Sequence, residues 1–232
     1  PVGTLSEGEY LVQIMNKAGY DFAVPGNHEF DYGMEKLLGL SARLDCGYSA
    51  CNFVNLPSKT QVFAPYRIME YDDIQVAFVG VATPESITKS TPAYFQDQFG
   101  RYRFGFCEDE TGEALYSQVQ SAVDQARGEG ADYVIMVGHL GDNGITEKWS
   151  SRSVIANTTG IDVFIDGHSH STQSDIAEET NGTGMVGDTI LTSTGTKLES
   201  VGVVDIAADG DAVGNFHIAV DHIPAAAPFS RL

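Results

Sequence analysis

The sequence is short of positive charge. Its 232 residues carry 13 Lys and Arg against 32 Asp and Glu, a formal charge of −19 at pH 7. Nucleic acid and anionic membrane surfaces are bound by clustered basic side chains, so neither is expected as the main partner. A small anionic ligand would need something other than surface charge to hold it, and a metal ion is the natural candidate. Cysteine is scarce too. Cys46, Cys51 and Cys107 are too few and too irregularly spaced for a disulfide framework or a zinc knot. A Cys46–Cys51 bridge would suit an oxidising compartment, but free buried thiols are the expectation. No stretch approaches the roughly 18 apolar residues of a membrane span, and no signal-peptide core is present, so no membrane insertion is expected. Internal repeats and low-complexity linkers are also missing, which points to one continuous domain over residues 1–232.

What is present is enough to build a core. At 42% hydrophobic and 10% aromatic, the chain is not a disordered one. The spacing of apolar residues predicts helices over Glu7–Ala18, stopped by Gly19, and over Met34–Leu44 and Glu113–Arg127. A short apolar strand, Asp21–Val24, should run into Pro25-Gly26. Tyr66–Tyr71 and Gln75–Val81 read as a hairpin around Asp72-Asp73. Tyr133–Val137 and Val163–Ile165 are short and wholly apolar, as strands covered on both faces are. Thr189–Ser193, Val201–Ala207 and Gly214–Val220 complete a β meander, the last two joined around Asp209-Gly210-Asp211. Alternating helices and strands followed by strands alone fit an α/β class with two packed sheets flanked by helices. Ligand sites in such sheets lie beyond the carboxyl ends of the strands.

Three segments share one design there, an apolar strand followed by glycine and histidine: FAVPGNHEFDYG (22–33), VIMVGHLGDNG (134–144) and VFIDGHSH (163–170). Glycine lets the backbone turn tightly or approach a ligand closely. Four of the six histidines (His28, His139, His168 and His170) lie in these turns. A single histidine after a strand is ordinarily a hydrogen-bonded structural residue, and Gly-Asn-His-Glu alone could be a polar turn. His168 and His170 stand two apart, which in an extended segment puts both side chains on one face. Three such turns in one sheet protein point to a converging metal site. Imidazoles with the Asn27 amide oxygen and no nearby thiolate suit Zn, Mn, Fe, Co or Ni. His217 and His222 lie in the meander without a glycine turn and are read as structural.

GNHEFDYG, GHLGDNG and GHSH resemble, in order and spacing, the later signature motifs of calcineurin-like metallophosphoesterases. GNHEFDYG resembles in particular the 5′-nucleotidase group, with its UDP-sugar hydrolases and 2′,3′-cyclic-nucleotide phosphodiesterases. The resemblance implies a four-layer α/β/β/α sandwich and two divalent metals that deliver hydroxide to phosphorus. It implies that Asn27, His139 and His168 ligate the second metal and His170 the first. It gives His28 contact with the phosphate and charge stabilisation in the transition state, and makes Asp31 the carboxylate that orients that ring. A turn or cap role ahead of the next helix is the plainer reading of Asp31, and Glu29 is either a supporting acceptor or a solvated side chain. The family is mostly extracytoplasmic and acts on nucleotides or other phosphate esters. Competing readings are a UDP-sugar hydrolase, a cyclic-nucleotide phosphodiesterase, a thiosulfate-ester hydrolase of related fold, and a non-catalytic binding module.

Two earlier family motifs, Asp-x-His and Gly-Asp, do not occur among the 26 residues before Asn27. The chain opens on Pro1 and not Met, and the expectation is a piece that starts just after the Gly-Asp turn, lacks the first strands, and also lacks the C-terminal nucleotide-binding domain. Such a piece would hold at most one metal, weakly, and be nearly inactive alone. Oligomeric state has no signature in the sequence.

Overall fold

Alternation of buried side chains on both faces builds the centre of the molecule. The computed structural model describes residues 2–143, 145–206 and 212–219, with side chains for 3–143 and 145–206. Helices are α1 (Val2–Ser6), α2 (Glu9–Ala18), α3 (Gly33–Ser41), α4 (Ser86–Lys89), α5 (Glu113–Gly128), α6 (Ser151–Ala156) and α7 (Gln173–Glu179). Strands are β1 (Val54–Asn55), β2 (Thr60–Gln61), β3 (Tyr66–Tyr71), β4 (Ile74–Ala82), β5 (Phe104–Gly105), β6 (Tyr133–His139), β7 (Val163–Asp166), β8 (Met185–Val186), β9 (Thr189–Ser193), β10 (Ser200–Ile206) and β11 (Ala212–Ala219). Six of them form one mixed sheet in the order β3-β4-β6-β7-β9-β8. Its four inner strands are parallel and its edges antiparallel. One face buries Ala77, Val79, Val134 and Met136 against α5, α6 and α7. The alternate residues Val76, Ile135, Val163 and Ile190 face the other way and meet Val204 and Ile206 of the antiparallel β10–β11 pair. Both faces of the parallel strands are therefore covered, as parallel sheets require. The small sheet β2-β1-β5 flanks a separate aromatic cluster in which Phe30, Phe53, Phe95 and Phe106 are fully buried.

Most predicted elements form within a residue or two of their expected bounds, and the hairpin turns at Asp72, which adopts φ 52°. Asp21–Val24 does not form a strand. Its Ala23 carbonyl accepts from the Ser49 N–H at 2.9 Å, and the Phe22 ring lies tilted at 37° to that of Phe78, with centroids 5.8 Å apart. A strand needs a ladder of lateral hydrogen bonds, and none forms along this segment among the described residues. Helix α2 begins at Glu9 and not Glu7, because Glu7 and Gly8 take positive φ of 47° and 87° and break it from α1. Helix α3 ends three residues early, at Ser41. Cys46 and Cys51 are buried free thiols, as expected, and burial pushes Cys51 well above the usual thiol range. The Asp209–Asp211 turn and His222 lie outside the described residues, and only the backbone of His217 is described.

Candidate functional site

The three central parallel strands deliver their carboxyl ends side by side. Val81 and Ala82 of β4 stand level with Gly138 and His139 of β6, and β7 lies next to β6 in register from Val163 to Ile165. Each strand runs directly into a polar residue at this edge: Glu85 after β4, His139 at the end of β6, and His168 after β7. A fourth contribution comes from the one-turn helix Asn27–Phe30. Phe30 anchors that turn, its ring fully buried and 5.4, 5.1 and 5.4 Å from the rings of Phe53, Phe95 and Phe106. Such aromatic packing fixes orientation as well as burying area. Glu29 bends back to accept the Gly26 N–H at 2.7 Å, and burial pushes its carboxyl up. Its role here is to fold the turn.

Asn27, His139 and His168 come together. His139 Nε2 lies 3.1 Å from Asn27 Oδ1, and the His139 and His168 rings stand 4.9 Å apart. Burial, with the neighbouring charges of His168, His28 and His170, pushes the His139 pKa down to about 4. The ring is therefore neutral at physiological pH, the state in which imidazole ligates a metal. Gly26 is what makes room: a Cβ there would sit 2.8 Å from both Cε1 and Nε2 of His139. The imidazoles of His139 and His168 with the Asn27 amide oxygen are a donor set that fits a divalent transition metal. Among the described residues no three His, Cys, Asp or Glu side chains converge as a ligand set.

His28 and Asp31 form a pair beside this cluster, with Nδ1 2.8 Å from Asp31 Oδ2, and Asp31 Oδ1 accepts from Ser90 Oγ at 3.2 Å. The His28 side chain is 78% exposed, so its other nitrogen is open to a ligand. Both residues border a cleft of about 400 Å³ that Leu11, Met15 and Tyr32 also line. His170 is separate. The expectation that His168 and His170 share a face assumed extended backbone, but β7 ends at Asp166 and both histidines take positive φ, 82° and 60°. His168 turns inward, 9% exposed at its side chain, whereas His170 is exposed and lines a second cleft with Asn143 and Ser169.

Three carboxylates escaped the sequence reading and hold these turns. Asp166 Oδ1 accepts the N–H groups of Leu140, Gly141 and Gly167 at 2.9, 3.3 and 2.8 Å, tying the His139 turn to the His168 turn. Burial pushes its carboxyl up. Asp142 accepts from Ser169 Oγ at 2.6 Å and from Ser171 Oγ, and faces Arg152 at 3.4 Å. Glu85 Oε2 meets His168 Nε2 at 3.1 Å, while Oε1 accepts both Thr146 N–H and Thr146 Oγ–H at 2.9 and 2.6 Å. Burial works to raise the Glu85 pKa, but the Thr146 and His168 bonds outweigh it and hold the carboxyl below its ordinary range. The one available signal was position, an acid directly beyond an apolar strand end, as the histidines are. Non-glycine residues at positive φ are strained and persist where their surroundings over-determine them. Glu85 and Asp142 supply that hold on the 168–171 turn.

The chain is similar to several known proteins. A bacterial relative, Endonuclease YhcR of Bacillus subtilis, is 26% identical over 224 residues, covering 90% of this chain and 17% of that protein. The 5′-nucleotidase of Bos taurus is 27% identical over 176 residues, 72% of this chain and 27% of that one. The chain thus spans less than a third of the length of either relative. In fold it is similar to the sulfate thiohydrolase SoxB of Thermus thermophilus, at a TM-score of 0.74 and 22% identity over 95% of this chain and 37% of that one. It is also similar to the calcineurin-like phosphoesterase YfkN of Bacillus subtilis, at 0.69 and 20% over 89% and 65%. Residues 5–172, which contain Asn27, His28, Asp31, Glu85, His139, His168 and His170, match the model of the calcineurin-like phosphoesterase family, and the chain belongs to that family.

Proposed function

We propose that this chain is part of a metal-dependent hydrolase of phosphate esters, with nucleoside 5′-monophosphates as the favoured substrates. The observation that carries the reading is the meeting of Asn27, His139 and His168 at the carboxyl ends of parallel strands, next to an exposed His28 held by Asp31. Asn27, His139 and His168 would hold one divalent ion, and His170 would serve a second. When bound, divalent cations polarise phosphoryl oxygens and lower the pKa of a water toward 7. The protein residues do the rest. His28, oriented through Nδ1 by Asp31, presents Nε2 to the phosphate and supplies a proton or charge as the ester bond breaks. Asp166 keeps the two ligand turns in register. With a charge of −19, phosphate must be held by metal and imidazole and not by a basic surface. The extracytoplasmic setting expected from the motifs goes with this reading, and among the described residues no helix is long and apolar enough to cross a membrane.

A cyclic-nucleotide phosphodiesterase or UDP-sugar hydrolase would use the same site, and the relatives include a 5′-nucleotidase and a trifunctional nucleotide phosphoesterase. A substrate panel separates them. The complete gene product, loaded with Mn²⁺, is expected to release phosphate from AMP faster than it opens 2′,3′-cyclic AMP or cleaves UDP-glucose, and to lose all three activities in EDTA. Turnover that survives EDTA, or no turnover of any panel member, would sink the proposal.

A further inference from the structure

Among the described residues Glu85 is the buried carboxylate that bonds a ring of the cluster, and its two oxygens are used differently. Oε1 is committed to Thr146 by two donors, and Oε2 is left for His168 Nε2. A carboxylate can only accept, so the nitrogen facing it must carry the proton. Neutral imidazole has one N–H and one lone pair, and a proton fixed on Nε2 leaves the lone pair on Nδ1. We propose that Glu85 is a positioning residue that locks His168 as the Nε2–H tautomer, so that Nδ1 is the nitrogen offered to a divalent cation. The inference rests on reading the cluster as a metal site. Outer partners of this kind orient ligating histidines and raise their basicity. Here the partner reaches across from the β4 edge to a residue 83 positions later in the chain, and so also couples two strand-end turns.

Glu85→Gln tests the assignment sharply, because it keeps shape and changes only donor pattern. The two Thr146 donors will claim the amide oxygen, which turns the NH₂ group toward His168. An NH₂ facing Nε2 demands a lone pair there, so the ring proton must move to Nδ1 and block ligation. Ring ¹⁵N spectra of the metal-free chain, recorded near pH 8.5 where imidazole is neutral, should show His168 protonated at Nε2 in wild type and at Nδ1 in Glu85→Gln. Mn²⁺ affinity should fall about 10–100-fold in the variant. The wild-type spectrum stands as a test even if the variant folds poorly: an Nδ1–H tautomer there overturns the proposal. So does an unchanged Nε2–H tautomer in a folded Glu85→Gln, or an unchanged affinity. A wild-type chain that takes up no ion would count against the metal reading alone, and the tautomer would still decide the role of Glu85.

Discussion

Replacing His28 by alanine is expected to lower kcat on p-nitrophenyl phosphate by about 10²–10⁴-fold in the complete, metal-loaded gene product, the range of a lost general acid or charge-stabilising group. The geometry makes this a clean experiment. The His28 side chain is 78% exposed and, among the described residues, its hydrogen-bond partner is Asp31, so truncation leaves no cavity. Surface changes of this kind move stability by about 0.5 kcal/mol or less, far below what would empty the folded state. The neighbouring Asn27 is buried and bonded to His139, and it should go on binding metal. Loss of turnover with unchanged metal content therefore isolates the chemistry of the ring. Asp31→Asn should fall between the two, because the amide keeps a contact to His28 and Ser90 but replaces the carboxylate that holds Nδ1 with a weaker, uncharged acceptor. Equal activity in wild type and His28→Ala would remove His28 from the mechanism.

The second large effect is on the fold. Gly80 lies in β4, where its missing side chain lets the strand press against another backbone: a Cβ there would stand 2.3 Å from Ser49 O and 2.6 Å from Ser49 C. The two backbones are also bonded, with the Cys51 N–H donating to Gly80 O at 2.8 Å. Backbone cannot swing aside as a side-chain tip can, so Gly80→Ala must separate β4 from the 49–51 segment. That segment supports the site as well, since Ser49 bonds Ala23 just ahead of the Asn27 turn. Asn52 adds further anchorage, its amide donating to Ala82 O at 2.7 Å and Phe106 O at 3.0 Å. Gly80→Ala is expected to cost about 3 kcal/mol, at the upper end for overpacking. Gly39→Ala is the control: Gly39 sits exposed in α3 with nothing within 4 Å of its Cβ position, and alanine there should stabilise by about 0.5–1 kcal/mol. Urea titration of both variants reads the contrast. Equal midpoints for Gly80→Ala and wild type would mean that this close approach has no energetic weight.

Much of this fold was legible because its signals are local. The apolar runs of β4, β6 and β7 and the period of α5 follow from burial on two faces or one. The histidine turns were equally visible, because glycine and histidine after a strand is a pattern within one stretch of chain. What escaped depends on distant partners. Asp21–Val24 has the composition of a strand, but a strand exists only through lateral hydrogen bonds that composition does not encode. The His168–His170 spacing suggested a shared face, and two positive φ values undid it. Glu85, Asp142 and Asp166 looked like ordinary members of an acidic chain. Their meaning lies in partners 61 to 83 residues away for Glu85 and 25 to 29 away for the other two.

The central claim, that Asn27, His139 and His168 form one metal site from which His170 stands apart, reduces to a count. Calorimetric titration of the 232-residue chain with Mn²⁺, checked by elemental analysis, should give at most one ion per chain, weakly held, and none in His139→Ala. Two tightly held ions, or one ion whose affinity ignores the loss of His139, would contradict it.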